Sequence, residues 1–548
     1  MKKRLISIAM CAVMALGVTA TAAACKDKEE DLNSFTMFLP FEVPDGYTSY
    51  NQLPVYQKLE ELTGMKVKYV HGVYNDIQQM WTGDYEEYDV MMLSDVQVGA
   101  NYPGGQEKGV SDGYLWDLTP YMEECMPNYL EAVETGYPNL QKFTKTDSGK
   151  RIGIYSAPVS EQGPWYGFCV RADWLRIYQE ATGIIEKDAP LKDLVTYDDW
   201  EGYLVYVKNN LNGGKAPLFL YYTGTDMVGT LNAGFQVSSG LYLKGGTEVA
   251  YGAIQPEYKA YLEKMKDWYS KGLIDQNFYT NNEGTESQMP QAPALDSPTN
   301  NNTAIAPAQY AAFPMIYTYI HTYEDLMKAM APLYQAYNLP QYDLIPVAAP
   351  KQNANDTLHI RYTEKASAYA VITSKVKSEE KVKAIMKWFD YLYTADGSML
   401  MNYGTEGDTY NMVDGEPVFT EKITKNPDGL NFSEAINTYA SLNFPFKYDW
   451  TRELQVVTDE ERSAMEEVWN CDNSYVLPAL TLTEAEGRVS EAYELNASTY
   501  KDEYTVNYII GKAGTPSFEE FVNTMKTTYH VDELVKAYQA AYVRYQAR

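Results

Sequence analysis

The chain is poor in the residues that build covalent or metal chemistry: 548 residues hold 5 cysteines and 4 histidines. Cys11, Cys25, Cys125, Cys169 and Cys471 include no Cys-x-x-Cys pair, and His71, His321, His359 and His530 are scattered. So sparse a set argues against a disulfide framework and against a zinc site built on Cys or His. No Gly-x-x-x-x-Gly-Lys-Ser/Thr loop and no His-Glu-x-x-His pair occurs, which removes two common routes to phosphate and zinc chemistry. Basic residues are also short, 45 against 74 acidic, for a formal charge of −29. A field of that sign repels phosphate backbones, so nucleic acid is not an expected partner. Long apolar runs are missing after residue 24; nothing there approaches the ~18 residues of a spanning helix.

The first 24 residues read as an export signal. Lys2, Lys3 and Arg4 form a basic start, Leu5 to Ala24 is uncharged, and Ala22-Ala23-Ala24-Cys25 supplies small residues at a cleavage point. Cysteine after three small residues resembles a lipobox, whose thiol is acylated; Ala22 stands where most lipoboxes carry Leu. Cys25 is therefore the expected lipidation site, with residues 25–34, charged from Lys26 to Asp31, as a solvated tether. The implied location is the outer face of the cytoplasmic membrane.

What the chain has in excess is tyrosine: 50 Tyr against 16 Phe and 9 Trp. A Tyr ring packs while its hydroxyl stays wet, which suits both ordinary cores and a groove for a flat-faced, hydroxylated ligand. A composition of 45% hydrophobic and 22% charged residues is that of a folded protein, and the length allows three to four units at about 150 residues each.

From Phe35 the pattern alternates strand and helix. Phe35 to Leu39 is a short apolar run, and Val55, Leu59 and Leu62 share a helical face stopped by Gly64. Met65, Val67 and Tyr69 alternate with Lys66 and Lys68, and Val90 to Leu93 suits a buried parallel strand. This is the start of an open α/β sheet, in which ligands bind beyond the carboxyl ends of the strands. Phe41, Glu42 and Asp95 fall at that edge. Arg151 to Ile154 reads as a further strand leading into Pro/Gly-marked chain at 156–167. A second α/β region follows, with helices over Ala172 to Ala181 and after a Thr196-x-x-Asp199 box. Residues 283–302 read as a long surface loop. The C-terminal third is mostly helical: Val382, Ile385, Met386 and Phe389 share a stripe, and a Ser517-x-x-Glu520 box opens a helix followed by another from Val531.

Several segments together resemble the extracellular solute-binding lipoproteins of bacterial carbohydrate ABC transporters. Gly113 to Tyr121 is similar to that family's Asp-Leu-Thr-Pro-Tyr segment, and Phe168 to Leu175 to its Ile-Arg-x-Asp-Trp-Leu. Tyr251 to Tyr258 and Tyr269 to Asp275 resemble its central helix. Tyr403-Gly404-Thr405-Glu406-Gly407-Asp408-Thr409-Tyr410 is close to Tyr-Gly-x-Glu-Gly-x-x-Tyr, and Phe518 to Tyr545 resembles its terminal helix pair. The resemblance implies a two-lobed α/β fold of the type II periplasmic-binding kind, with a ligand cleft between the lobes and a helical C-terminal region. Residues 35–155 and 366–430 are then expected in one lobe, and 156–365 and 431–548 in the other. Many relatives carry an acidic calcium loop after the Thr-capped helix. The matching stretch here, Lys208 to Lys215, has no carboxylate, so no metal site and no cofactor are carried across.

The function so implied is capture of an extracellular oligosaccharide by a monomer and its delivery to an ABC permease, without catalysis. Sugar faces stack on aromatic rings while polar groups bond the hydroxyls; the lack of a clear basic cluster points to a neutral sugar. Trp165 and Tyr166 follow the first interlobe crossing. Tyr310, Arg361 and Tyr362 lie where relatives return to the cleft, the second crossing being expected at Ala366 to Thr373. Tyr448 and Trp450 close an aromatic loop. The other seven tryptophans read as core. A lipid-anchored glycosidase or lyase with two carboxylates is the alternative class, and a peptide-binding transport protein is a third.

Overall fold

Two sheets organise the chain. The computed structural model describes residues 30–81, 88–94, 101–136, 140–159, 163–164, 166–220, 231–280, 310–317, 320, 331–332, 335, 343–359, 368–442 and 444–548. The expected loop at 283–302 lies outside these.

The first sheet begins with β1 (Ser34–Leu39), which pairs in parallel with β2 (Lys66–His71) and β3 (Val90–Ser94). Between β1 and β2 runs α1 (Pro54–Thr63), with Pro in its first turn and Gly64 at φ 68° as its left-handed end. Its buried side is Val55, Tyr56 and Leu59, whereas Leu62 is 51% exposed. Of the expected stripe Val55 and Leu59 are buried and Leu62 is not, and Tyr56 takes the third inward position. In β2 the alternation holds, with Val67 and Tyr69 buried and Lys66 and Lys68 exposed. All of β3 is buried. Of the expected strand at 151–154, only Ile154 joins the sheet, in β4 (Ile154–Tyr155).

One strand of this sheet comes from much later in the chain. β11 (Ala368–Ile372) lies antiparallel between β3 and β4, giving the order β2-β1-β3-β11-β4. Side-chain alternation divides the core in two. Met37, Val90, Met92, Ala370 and Ile372 face α1, α6 (Glu379–Tyr391) and α7 (Ala395–Tyr403), where the stripe Val382, Ile385, Met386 and Phe389 is buried as expected. Phe38, Met91, Leu93, Tyr155, Tyr369 and Val371 face the opposite way, towards Trp81, Tyr102 and α2 (Gln106–Ser111).

This lobe continues beyond residue 430. Asn431 and Glu434 form a capping box that opens α8 (Phe432–Tyr439), which packs on α1, and Phe444 and Phe446 belong to the α1–α6–α7 core. The return to the second lobe therefore falls after Phe446 and not at 431. The hairpin of β12 (Tyr410–Val413) and β13 (Glu416–Phe419) sits between α7 and α8 in sequence.

The second lobe is built on β6 (Tyr166–Arg171), flanked antiparallel by β9 (Ala312–Ile316) and β10 (Leu344–Val347). Phe168, Val170, Ala312 and Val347 face one large helical core. It draws on α3 (Ala172–Ala181), α4 (Tyr197–Asn210), α5 (Pro256–Ser270), α9 (Glu484–Ile509), α10 (Phe518–Thr527) and α11 (Val531–Ala547). Both expected capping boxes are formed, Thr196 with Asp199 and Ser517 with Glu520. Cys169, Phe313, Met315 and Leu344 face a smaller core on the other side. Of the seven tryptophans read as core, Trp81, Trp174, Trp200, Trp268, Trp388 and Trp469 are buried. Trp116 is half-buried and donates to the Val376 carbonyl at 3.0 Å.

Helices α4 and α5 are joined by Glu201. Its carboxylate accepts from Trp268 Nε1 at 2.9 Å, Lys264 at 3.1 Å and Lys271 at 2.5 Å. Burial alone would raise its pKa, but these three donors outweigh it and hold the carboxyl at about 2. A carboxyl depressed on folding adds stability above its unfolded pKa of about 4.3, and that stability is lost as pH falls towards the folded value. Glu201→Gln should therefore cost about 1–2 kcal/mol at pH 7, with the difference from the parent vanishing by about pH 2. Urea unfolding of both proteins across that range measures it.

Candidate functional site at the lobe crossings

Where the lobes join, two segments cross side by side. β5 (Ala157–Pro158), leaving the first lobe after β4, pairs in parallel with β14 (Lys447–Tyr448), which leaves it after Phe446. Ala157 N–H donates to Phe446 O and Val159 N–H to Tyr448 O, both at 2.9 Å. The third crossing lies between β10 and β11, and residues 360–367 of it are outside those described. Asn402, buried in α7, pins β14 from the first lobe. Its amide nitrogen donates to Lys447 O at 2.9 Å, and its oxygen accepts from Asp449 N–H at 3.0 Å.

Immediately after β14 comes a 3-10 helix, Trp450–Gln455. Residues three apart eclipse in a 3-10 helix, and here the two resulting ridges address different lobes. Trp450 packs with Phe313, Met315, Met465 and Trp469 of the second lobe, and Glu453 accepts from Tyr317 Oη at 2.8 Å. Arg452 and Gln455 turn to the first lobe. Arg452 is fully buried, and donates to Asn402 O at 2.9 Å, Met401 O at 3.4 Å and Ser441 O at 2.7 Å. Two of these carbonyls belong to the last turn of α7, where a cation also meets the negative end of the helix dipole. Gln455 clasps β13, accepting from Phe419 N–H at 2.9 Å and donating to Pro417 O at 2.8 Å.

The polar groups beside this junction are phenols and carboxylates. Tyr448, half-buried, donates to Glu453 Oε1 at 2.6 Å, and the Arg452 guanidinium lies 5.0 Å from its ring centre. Burial first, and then the Glu453 charge, push the Tyr317 hydroxyl far above its ordinary range. Tyr310 donates to Asp275 at 3.4 Å, and burial together with that carboxylate raises it too. The Tyr317 and Tyr310 hydroxyls thus remain protonated donors at physiological pH.

In the first lobe, Phe41 and Glu42 follow the carboxyl end of β1. Phe41 is half-buried with its ring 5.9 Å from that of Tyr74, and Glu42 is exposed. His71 at the end of β2 holds this turn. Tyr50 N–H donates to Nε2 at 3.2 Å, which leaves Nδ1 to donate to Phe41 O at 3.2 Å. That pattern needs a neutral ring, and burial lowers the His71 pKa accordingly. Tyr74 is pushed up to about 12 by burial.

Of the ten residues expected at the cleft, Asp95, Trp165, Arg361 and Tyr362 lie outside those described, as does Cys25. Tyr310, Tyr448 and Trp450 meet around one core of the second lobe, while Phe41 and Glu42 sit at the first lobe's strand edge. Tyr166 is half-buried at the start of β6. Trp450 is only 6% exposed, so its ring is committed to packing in the second lobe. Tyr317, Glu453 and Asp275 were not foreseen. The adjacent charges Arg452-Glu453, so close behind an aromatic loop, were the one signal that could have drawn attention to them.

A Gly-x-Ser-x-Gly string does occur, Gly109 to Gly113. It ends α2 in place of turning a strand into a helix, and Ser111 is exposed with its hydroxyl bonded to Lys108 O; it lacks the context of a nucleophile. Among the described residues no group of three or more His, Cys, Asp or Glu could hold a metal. In the stretch Lys208 to Lys215, Lys208 donates to Lys271 O and Asn212 to Lys215 O at 2.8 Å.

Replacing Arg452 by Met should remove the guanidinium donor from the buried Asn402 and Ser441 carbonyls, while Met401 O keeps its bond from Ser441 N–H at 2.8 Å, and should unpin the 3-10 helix from α7. The expected loss is about 3 kcal/mol in urea unfolding, with a smaller loss for Gln455→Ala at the more exposed clasp.

No protein-family profile matches the chain. Over 575 aligned positions it is 21% identical to lipoprotein LipO of Bacillus subtilis (strain 168), covering 99% of each protein. Among solved structures it is similar to the alginate-binding protein AlgQ2, with TM-score 0.65 and 18% identity over 93% of this chain and 98% of that one. An HMO-binding, ABC-transporter-associated solute-binding protein from Bifidobacterium longum infantis gives TM-score 0.68 and 16% identity, over 93% and 99%. FusA, an ABC-transporter substrate-binding protein of S. pneumoniae in complex with kestose, gives 0.66 and 15%, over 94% and 99%. Likeness at this level, over nearly the whole of both chains, establishes the architecture: the chain has the two-lobed fold of the ABC-transporter solute-binding proteins.

Proposed function

We propose that the protein is a solute-binding lipoprotein that captures an extracellular oligosaccharide between its lobes and delivers it to an ABC permease. The observation that carries this reading is the junction itself. Three chain crossings join two α/β lobes, and beside them lie phenols with fixed acceptors, a setting suited to sugar hydroxyls and ring faces. Its similarity to proteins described as binding alginate, HMO and kestose supports a carbohydrate. A lipoprotein relative supports a surface protein held by Cys25. No helix among the described residues is long and apolar enough to cross a membrane.

In this reading Trp165 supplies the stacking face. Tyr166, Tyr310, Tyr448 and Tyr362 offer rings and hydroxyls, Asp95, Glu42 and Arg361 bond sugar hydroxyls, and Phe41 lines the first lobe's edge. Trp450 acts behind them as the packing that holds Tyr448 in place. The ligand is a neutral sugar and leaves unchanged, so incubation with it generates no new reducing ends.

Two substitutions separate binding from packing. Trp165→Ala should weaken oligosaccharide binding by roughly tenfold to a hundredfold with little change in unfolding. Trp450→Ala should cost about 3–5 kcal/mol of stability while the folded fraction keeps most of its affinity. Calorimetric titration against a panel of neutral glycans, with urea unfolding of the same samples, reads both; no heat with any glycan for the parent protein would overturn the reading.

The anchor is tested in cells. Cys25→Ser should release the protein to the medium, because two acyl chains on that residue make a stable anchor. Retention of the variant in the membrane fraction would overturn the lipid attachment.

A further inference from the structure

The lobes also touch away from the crossing strands. The turn at Asp147, in the first lobe, is closed by Thr146 N–H on Lys150 O and Gly149 N–H on Thr146 O, both at 2.9 Å. Its carboxylate meets two guanidinium groups from the end of α11, in the second lobe. Arg544 pairs with Asp147 Oδ2, and Arg548 reaches Oδ1 through both Nε and Nη2. Arg548 Nη1 also donates to Lys142 O at 2.7 Å and to Lys145 O. Arg544 is aimed from behind by Glu486 in α9, which accepts from its Nη1 at 2.7 Å and its Nη2 at 2.5 Å.

These groups are sheltered. The side chains of Asp147 and Glu486 are each 14% exposed and that of Arg548 9%. The backbones come equally close beside them: a Cβ added to Gly487 of α9 would lie 3.2 Å from Gly104 Cα of the first lobe. Gly104 leads directly into α2, and Ser148, next to Asp147, donates to Glu107 of α2 at 2.7 Å.

The position relative to the hinge gives the contact its meaning. Ala157 and Phe446 of the crossing segments pack on the sheet face that carries α1, α6 and α7. Tyr102 and Leu115, which bracket α2, pack on the opposite face. The ion pairs are therefore separated from the hinge strands by the thickness of the first sheet, and rotation about the hinge must stretch them or bring them together.

We propose that Asp147, with Arg544 and Arg548, forms an electrostatic tie between the lobes that favours their apposed state before any ligand arrives. The carboxylate shared by two guanidiniums gives each lobe an affinity for the other that does not depend on cargo. A tie of this kind changes the population of the apposed state, and with it the apparent affinity for whatever binds there.

The test uses the mature protein without ligand, so its outcome is independent of whether the cargo is a sugar. Small-angle scattering and a distance measured between labels on the two lobes are recorded for the parent, Asp147→Asn and Arg548→Gln. Arg548→Gln is the milder change and guards against a folding defect in the first variant, with thermal unfolding as the control. Each variant should shift the distribution towards separated lobes, Arg548→Gln lowering the apposed population by roughly fivefold to tenfold for the loss of one pair and Asp147→Asn, which removes the carboxylate of both pairs, by at least as much. Distance distributions identical to the parent in both folded variants would overturn the proposal and make these pairs surface decoration. Failure to bind sugar would leave it standing, and failure of the tie would leave sugar capture standing.

Discussion

Six residues of 3-10 helix hold the two lobes in register. In an α-helix, residues 450 and 453 would not align with 452 and 455 as two separate ridges; at three residues per turn they do. One ridge, Trp450 and Glu453, is buried in the second lobe, and the other, Arg452 and Gln455, is bonded to backbone of the first. Arg452 makes three of these links, because the nitrogens of a planar guanidinium can reach several carbonyls at once, here those of Met401, Asn402 and Ser441. The lobes are thereby joined through backbone carbonyls that cannot be repositioned without unwinding α7.

The sheet topology explains why such a junction is needed. β11 is drawn from beyond the second lobe into the middle of the first sheet, between β3 and β4. The first lobe cannot be completed until the chain has made the second and returned, so the lobes are interleaved and share crossings in place of a single linker. Three crossings restrict any relative motion of the lobes to rotation about the segments that join them. Contacts on the far side of the sheet, such as those at Asp147, then act at a distance from the axis, where a small rotation separates charged groups most.

Much of this was legible in the sequence, and the failures have physical causes. β1, β2 and β3 followed from apolar runs and period-two alternation, and the capping boxes at Thr196 and Ser517 marked true helix starts. The end of the first lobe was misplaced because α8 has its own capping box at Asn431, so no break in regular structure occurs at 431. The buried face of α1 includes Tyr56, which the stripe of Val55, Leu59 and Leu62 did not count, and leaves Leu62 outside. Trp450 drew attention as an aromatic without periodicity, yet a 3-10 turn buries residues at a spacing that neither the helical nor the strand template detects. Tyr317 and Glu453 were invisible because their partnership joins positions 136 residues apart.

Tyrosine abundance does not by itself mark a binding groove. Many phenols lie deep in the cores with their hydroxyls satisfied locally: Tyr56 by Ser441, Tyr203 by Arg171 O, Tyr258 by Thr505 and Tyr393 by Tyr155 O. A buried phenol bonded to a backbone carbonyl or a hydroxyl is a packing element with a polar tip. Those at the crossings differ in their acceptor. Tyr317 and Tyr448 share one carboxylate, and Tyr310 reaches Asp275. Tyr317 and Glu453 are themselves buried, whereas Tyr310 and Tyr448 are half-buried, so the latter two phenols keep oxygen lone pairs that a further donor can reach. Phenol–carboxylate pairs also occur away from the crossings, Tyr102 with Asp112 and Tyr538 with Glu494, so what sets the junction apart from these is that two phenols share one carboxylate, Glu453.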